Sequence, residues 1–159
     1  MELVVLGDYF VGAAELASID DLAAAIIPGG RAAGRARAAL ALVRGGVESP
    51  METKFRLAVI DAGFPEPDVN VEVFDDRGAF LGRVDLAWPS LRIGLEYDGD
   101  HHRERSTFQH DQRRSNGFVV NDWILVHATS ADAARPAVFF ECLRQAFVQR
   151  RLESGRPSA

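Results

Sequence analysis

The chain lacks several features that would place it in a specialised class of proteins. Its 159 residues include one cysteine, Cys142, which excludes an intrachain disulfide framework and a cysteine-based zinc cage. No hydrophobic run approaches the length of a membrane span, and the apolar run at residues 3–6 is too short for a secretory signal. The net charge of -5 argues against a protein that coats nucleic acid, although a local basic face is still possible. We therefore expect a cytoplasmic globular protein with no membrane partner.

The composition changes near residue 48. With 47% hydrophobic residues the chain is long enough to bury one good core. We predict a helical N-terminal segment at residues 1–48, a main domain at 49–153 and a disordered tail at 154–159. Cys142 lies in an apolar run of the main domain, which predicts a buried, inert thiol.

Strong local signals mark the start of the main domain. Ser49 is a good capping residue, Pro50 fits the first helical position, and Glu52 stands three residues after the cap. Gly63 is a plausible C-terminal stop. These signals predict a helix over residues 50–62.

Four strands are predicted after this helix. Residues 69–74 and 79–88 flank the turn-forming stretch 75–78 and predict a β-hairpin, and residues 91–97 predict a third strand. A helix, a fourth strand and a final helix follow, over residues 106–119, 123–128 and 136–152. The order αβββαβα predicts an α+β fold with a four-stranded mixed sheet flanked by helices. The third and fourth strands are joined by a helix, which suggests a parallel crossover.

Three acidic residues stand near the ends of two neighbouring predicted strands. Asp85 lies in the second strand, and Glu96 and Asp98 alternate with apolar residues in the third. If the two strands pair as a hairpin, Asp85 lies opposite the Glu96 region. Two like charges about 4 Å apart repel by roughly 4 kcal/mol at an effective dielectric near 20. A bound cation is the usual reason to keep such a cluster.

These residues carry a family resemblance. The segment 49–149 resembles the restriction-endonuclease-like PD-(D/E)xK superfamily, and within it the small bacterial proteins similar to very-short-patch-repair (Vsr) endonucleases. The resemblance depends on residues spread over the predicted core: Glu52, the stretch 83–89, the stretch 96–99, His102, Asp111, Arg114 and Trp123.

The resemblance implies a restriction-endonuclease-like core and metal-dependent hydrolysis of DNA. A divalent cation stabilises charge on the phosphate and activates a water molecule. Asp85 and Glu96 are the implied ligands, with Asp98 as an additional one, and oxygen ligands suit Mg²⁺ or Mn²⁺. Glu52 is an implied auxiliary acid. His102 is the implied acid or base, since an imidazole titrates near neutral pH.

The chain departs from the superfamily pattern at one important position. The superfamily's lysine, two residues after the second acid, falls at Asp98, which cannot supply a positive charge. Relatives also tend to have glycine and arginine where this chain has Asp122 and His127. These departures make metal binding a firmer expectation than catalysis.

Several of these residues also have a purely structural interpretation. Glu52 fits a helix cap, and Asp98 fits a turn that ends the third strand. Asp85 favours a functional role, because an unpaired carboxylate within an apolar strand is costly. A zinc site built from the histidines at 101, 102 and 110 is disfavoured by their irregular spacing. Core packing is favoured for Trp88 and Trp123.

Arginines follow the third strand and could contact a phosphate backbone, although a solvated helix face explains them almost as well: Arg103, Arg105, Arg113 and Arg114. The leading hypothesis is thus a Mg²⁺- or Mn²⁺-dependent DNA endonuclease or nicking enzyme. The alternative is a non-catalytic nucleic-acid-binding or regulatory module linked to toxin-antitoxin or phage-defence systems. A structural interaction domain is a third possibility. The sequence leaves the DNA substrate and the oligomeric state open.

Overall fold

The computed structural model describes residues 1–99 and 105–154, except for the side chains of residues 105–111, 134 and 154. Within this part of the chain the fold is α+β, with a four-stranded mixed sheet and seven α-helices. The helices are α1 (Glu2–Val11), α2 (Ile19–Ala24), α3 (Ala33–Leu40), α4 (Pro50–Asp61), α5 (Arg105–Val120), α6 (Ser130–Ala134) and α7 (Ala137–Ser154). The strands are β1 (Asp68–Phe74), β2 (Phe80–Trp88), β3 (Ile93–Asp98) and β4 (Ile124–Thr129).

The chain divides into two compact units, Met1–Glu66 and Pro67–Ala159. The first unit contains α1 to α4, and the second contains the whole sheet with α5, α6 and α7. The domain boundary expected near residue 48 and the disordered tail both stay predictions. Residues 155–159 of that tail lie outside the described residues.

The local signals of α4 act as predicted. The Ser49 side chain accepts a hydrogen bond from the Glu52 N–H, and Pro50 is the first helical residue. Gly63 follows the helix with a φ of +88°, a conformation that glycine adopts without steric cost. The helix begins and ends within one residue of the predicted range.

The sheet has the order β1-β2-β3-β4. The β1–β2 and β2–β3 pairs are antiparallel, and β3 and β4 are parallel, which confirms the predicted hairpin and crossover. The third strand begins two residues later than predicted. Pro89–Leu91 form a 3-10 turn, and Arg92 adopts a left-handed φ of 49°, so strand geometry resumes at Ile93.

Apolar residues of the sheet and of the helices beside it form the core of the second unit. Val73, Val84, Ala87 and Phe118 form one buried cluster. Trp88 is buried against Phe147 of α7, with ring centroids 5.0 Å apart, which confirms core packing for this tryptophan. Trp123 is partly buried and packs against the same cluster.

The prediction for Cys142 was wrong, because its side chain is exposed. Phe139, Leu143 and Phe147 form the buried face of α7, as their helical spacing predicts. Cys142 lies one residue before Leu143, so the helical rotation of about 100° per residue turns it away from that face. The apolar run therefore did not indicate burial for each of its members.

Candidate functional site

The three acids of the sequence motif lie where β2 and β3 stop pairing. The antiparallel register runs from Trp88–Ile93 to Leu86–Leu95, and the next position would place Asp85 opposite Glu96. At that position the contact between the two strands comes from the Asp85 side chain. Its Oδ2 accepts a hydrogen bond of 2.8 Å from the Tyr97 N–H. Tyr97 stands between Glu96 and Asp98, so the Asp85 carboxylate meets β3 between the other two acids. The structure thus confirms that Asp85 lies at the level of the Glu96 region.

Glu96 is held by Arg114, which reaches it from α5. Arg114 Nη1 donates to Glu96 Oε2 at 2.9 Å, and Nη2 donates to Oε1, so the guanidinium contacts both carboxylate oxygens. This two-point geometry is the strongest form of an arginine–carboxylate pair. Arg114 was expected to meet DNA phosphates, but in this structure its guanidinium lies against an acid of the motif.

Two further contacts hold Arg114 in place. Its Nη2 also donates to the Arg83 carbonyl at 2.7 Å, and its Cζ lies 4.9 Å from the ring centroid of Phe118. A Cβ atom at Gly82 would lie 2.6 Å from Arg114 Nε and 3.0 Å from Phe118. The missing side chain at Gly82 therefore gives the arginine room beside the sheet.

His127 is a member of this cluster that the sequence did not predict. In the parallel β3–β4 register Glu96 is opposite His127, and Asp98 is opposite Thr129. The His127 Nδ1 lies 3.7 Å from Glu96 Oε2 and 3.5 Å from Asp98 Oδ2. Both carboxylates therefore share one face of β3, as the strand alternation predicts. The predicted parallel crossover contained a signal for this contact. It places the end of the fourth strand, where His127 lies, beside the acidic end of the third strand.

The cluster is partly open to solvent and brings three acids together. The exposed fraction of the side chain is 12% for Glu96, 26% for Arg114, 35% for Asp98 and 45% for His127. Among the described residues, the carboxylates of Asp85, Glu96 and Asp98 stand near the Arg114 guanidinium, while His127 is charged only when protonated. Partial burial weakens solvent screening, so repulsion among the three carboxylates is stronger than it would be on an open surface.

Carboxylate oxygens are the ligands that Mg²⁺ and Mn²⁺ prefer, so the donor chemistry of Asp85, Glu96 and Asp98 fits such a cation. The atomic arrangement is less complete. Among the residues described, no three or more His, Cys, Asp or Glu side chains are gathered as a metal-binding group. Glu96 has both oxygens on Arg114. A cation at this site therefore requires the side chains to adjust.

Glu52 belongs to the first compact unit and lies in the first turn of α4. Its side chain is buried, and its Oε2 accepts a hydrogen bond of 3.0 Å from the Glu48 N–H. This contact lies one residue before the Ser49 cap, whereas a capping box bonds the N–H of the cap residue itself, so the structural interpretation of Glu52 also stays a prediction. A role as an auxiliary acid stays a prediction.

The remaining predicted site residues are described only in part. His102 and Arg103 lie outside the described residues, and Arg105 begins α5 but its side chain, like that of Asp111, is not described. Arg113 is exposed on α5, where it could meet a phosphate. The acid or base role of His102 and the basic face both stay predictions.

Comparison with known proteins gives two relatives from Mycobacterium tuberculosis. The chain is 32% identical over 101 residues to "Uncharacterized protein Rv2248" of strain ATCC 25618 / H37Rv. It matches "Uncharacterized protein MT2308" of strain CDC 1551 / Oshkosh to the same extent. The match covers 63% of this chain and 37% of each relative, so the chain spans little more than a third of the length of the curated relatives it matches. Neither printed name includes an activity.

No family model and no solved structure matches the chain. No helix in the described part of the chain is long and apolar enough to cross a membrane.

Proposed function

We propose that this protein is a metal-dependent DNA endonuclease or nicking enzyme of the restriction-endonuclease-like type. One observation carries the proposal: Asp85 meets β3 between Glu96 and Asp98, at the point where β2 and β3 stop pairing. The resemblance of residues 49–149 to Vsr-like endonucleases supports the same activity. We propose both the membership of this family and the hydrolysis of DNA.

Asp85, Glu96 and Asp98 are the residues that would hold a Mg²⁺ or Mn²⁺ ion. When bound, the ion would supply charge stabilisation at the phosphate and a more acidic water molecule. The chain's own groups orient these acids. The Tyr97 N–H fixes Asp85, and Arg114 fixes Glu96.

Two histidines are candidates for moving a proton. His102 has this role by resemblance. His127 is a second candidate, because its Nδ1 faces two acids of the cluster. An imidazole near carboxylates suits proton transfer at neutral pH.

A cleavage assay tests the proposal. The wild-type chain is incubated with supercoiled plasmid and with mismatched and fully paired duplexes, in Mg²⁺, in Mn²⁺ and in EDTA. We expect cation-dependent cleavage or nicking that falls at least 100-fold in Asp85→Asn and Glu96→Gln. These changes keep side-chain size and remove the ligand charge.

Glu72→Gln is the matched control. Glu72 is exposed on β1 of the same sheet, so this variant also loses one negative charge but leaves the cluster unchanged. We expect it to cleave like the wild type. Cleavage that persists unchanged in Asp85→Asn would sink the assignment.

One observation favours a second candidate function, a non-catalytic nucleic-acid-binding or regulatory module. Both oxygens of Glu96 are on Arg114, and position 98 has an acid in place of the superfamily's lysine. A site closed in this way could serve binding alone.

Binding measured with and without EDTA separates the two candidates. The module predicts salt-sensitive DNA binding that EDTA leaves unchanged, with no cleavage under any condition. DNA binding that is abolished by EDTA would count against the module and in favour of the nuclease.

A further inference from the structure

The pairing of Arg114 with Glu96 raises a conflict at the centre of the site. Glu96 is the expected cation ligand, yet both of its oxygens accept hydrogen bonds from the same guanidinium. We propose that Arg114 and the divalent cation compete for Glu96, so that Arg114 neutralises this acid until a cation displaces it. The inference rests on the proposed function, because it concerns the same metal site.

Arg114 stays close to Glu96 even when their direct hydrogen bonds break. The Arg83 carbonyl and the Phe118 ring contact the guanidinium independently of Glu96, and Gly82 leaves room for it. An arginine is always charged in proteins. A divalent cation that binds Glu96 therefore arrives next to a fixed positive charge, in a partly buried place where water screens poorly.

The competition has a consequence for substrate binding. A guanidinium that gives up Glu96 regains donors whose fork geometry matches a phosphate. Cation binding would then convert Arg114 from a partner of Glu96 into a contact for the phosphodiester. Arg114 is a positioning residue in the metal-free protein.

The test is Mn²⁺ binding to the full chain, without DNA, by electron paramagnetic resonance of the free ion. We expect the dissociation constant for Mn²⁺ to fall about tenfold in Arg114→Gln, because the competing charge is gone. Arg114→Lys keeps the charge, so its dissociation constant should stay closer to that of the wild type. A merely structural role for Arg114 would instead weaken Mn²⁺ binding in both variants.

Arg113→Gln is the matched control, since Arg113 is the neighbouring residue on α5 and is exposed. It removes the same charge from the same helix and should change the dissociation constant less than twofold. Equal or weaker Mn²⁺ binding in a folded Arg114→Gln protein overturns the inference.

Gly82→Ala tests the same point if Arg114→Gln does not fold. The added Cβ takes the space beside Arg114 Nε and pushes the guanidinium away from Glu96. We expect tighter Mn²⁺ binding than in the wild type, and unchanged binding in this folded variant overturns the inference.

The two proposals fail in different ways. If Mn²⁺ binds and Glu96→Gln abolishes it, but Arg114→Gln leaves it unchanged, only the competition is overturned. If Mn²⁺ shows no saturable binding to the wild type or to any variant, the metal-dependent activity is overturned with it.

Discussion

Each of the two compact units contains an arginine–carboxylate pair, and the two pairs differ in their surroundings. In the first unit, Arg56 Nη2 lies 2.9 Å from Asp8 Oδ2, and their side chains are 0% and 1% exposed. In the second unit, Arg114 holds Glu96, with side chains 26% and 12% exposed. The first pair is sealed from water, and the second is open to it.

The hydrogen bonds around Asp8 are nearly complete. Its carboxylate also accepts from the Thr53 hydroxyl and from the Arg44 N–H, both at 2.8 Å. Arg56 donates in addition to the Leu42 carbonyl. A buried charge is costly unless hydrogen bonds and an opposite charge compensate it, as they do here. We therefore interpret the network as structural, because it links α1 to α4 and to the segment after α3.

The cluster around Glu96 has the opposite character. Asp85 and Asp98 place two further carboxylates beside the Arg114–Glu96 pair, and His127 is charged only when protonated. An arrangement that leaves like charges together in a partly buried place works against stability. Neighbouring carboxylates, rather than the presence of an ion pair, distinguish the candidate site from the structural network around Asp8.

The largest expected effect is on stability, in Asp8→Ala. Removing Asp8 leaves the buried Arg56 charge without its closest charged partner, which should cost about 3–5 kcal/mol of the free energy of unfolding. Urea unfolding followed by circular dichroism measures it. Asp61→Ala, an exposed position on α4, should stay within about 0.5 kcal/mol. A loss below about 1 kcal/mol in Asp8→Ala would contradict the structural role of the Asp8–Arg56 pair, and with it the difference between the two pairs.

A smaller effect of opposite sign is expected in Asp98→Asn. This change removes one of three neighbouring carboxylate charges, so it should reduce their mutual repulsion and raise the free energy of unfolding by about 1 kcal/mol at low salt. The gain should shrink in 1 M NaCl, where the Debye length is about 3 Å.

Asp76→Asn is the control for this measurement. Asp76 follows β1, and its side chain is 89% exposed. Its free energy of unfolding should change little at either salt concentration. A clear loss of stability in Asp98→Asn would mean that Asp98 belongs to a satisfied network, as Asp8 does.

The parts of the fold that the sequence predicts depend on local chemistry. The cap at Ser49 and the Asp75 turn act within a few residues, and both form as expected. Asp75 Oδ1 accepts from the N–H groups of Arg77 and Ala79, which closes the hairpin. Such contacts depend on neighbours in the sequence and so can be recognised in it.

The parts that the sequence misses depend on distant partners. Asp8 receives its hydrogen bonds from residues 36 to 48 positions away, so its burial leaves no local pattern. Arg114 resembles a surface residue until α5 packs beside Gly82. His127 joins the cluster only through the β3–β4 register. The acids themselves could be predicted because the hairpin that aligns them is nearly local.

The parallel pairing of β3 with β4 has a consequence for folding. Asp85 meets Tyr97 across a short stretch of chain, whereas Glu96 meets His127 only after the crossover through α5 is complete. Contacts of high sequence separation form late and slowly. A shift of β4 by one residue would turn His127 to the other face of the sheet. In a compact chain with β4 out of register, the three acids would therefore lie together without His127. The presence of His127 beside Glu96 thus indicates that β4 has paired in the correct register.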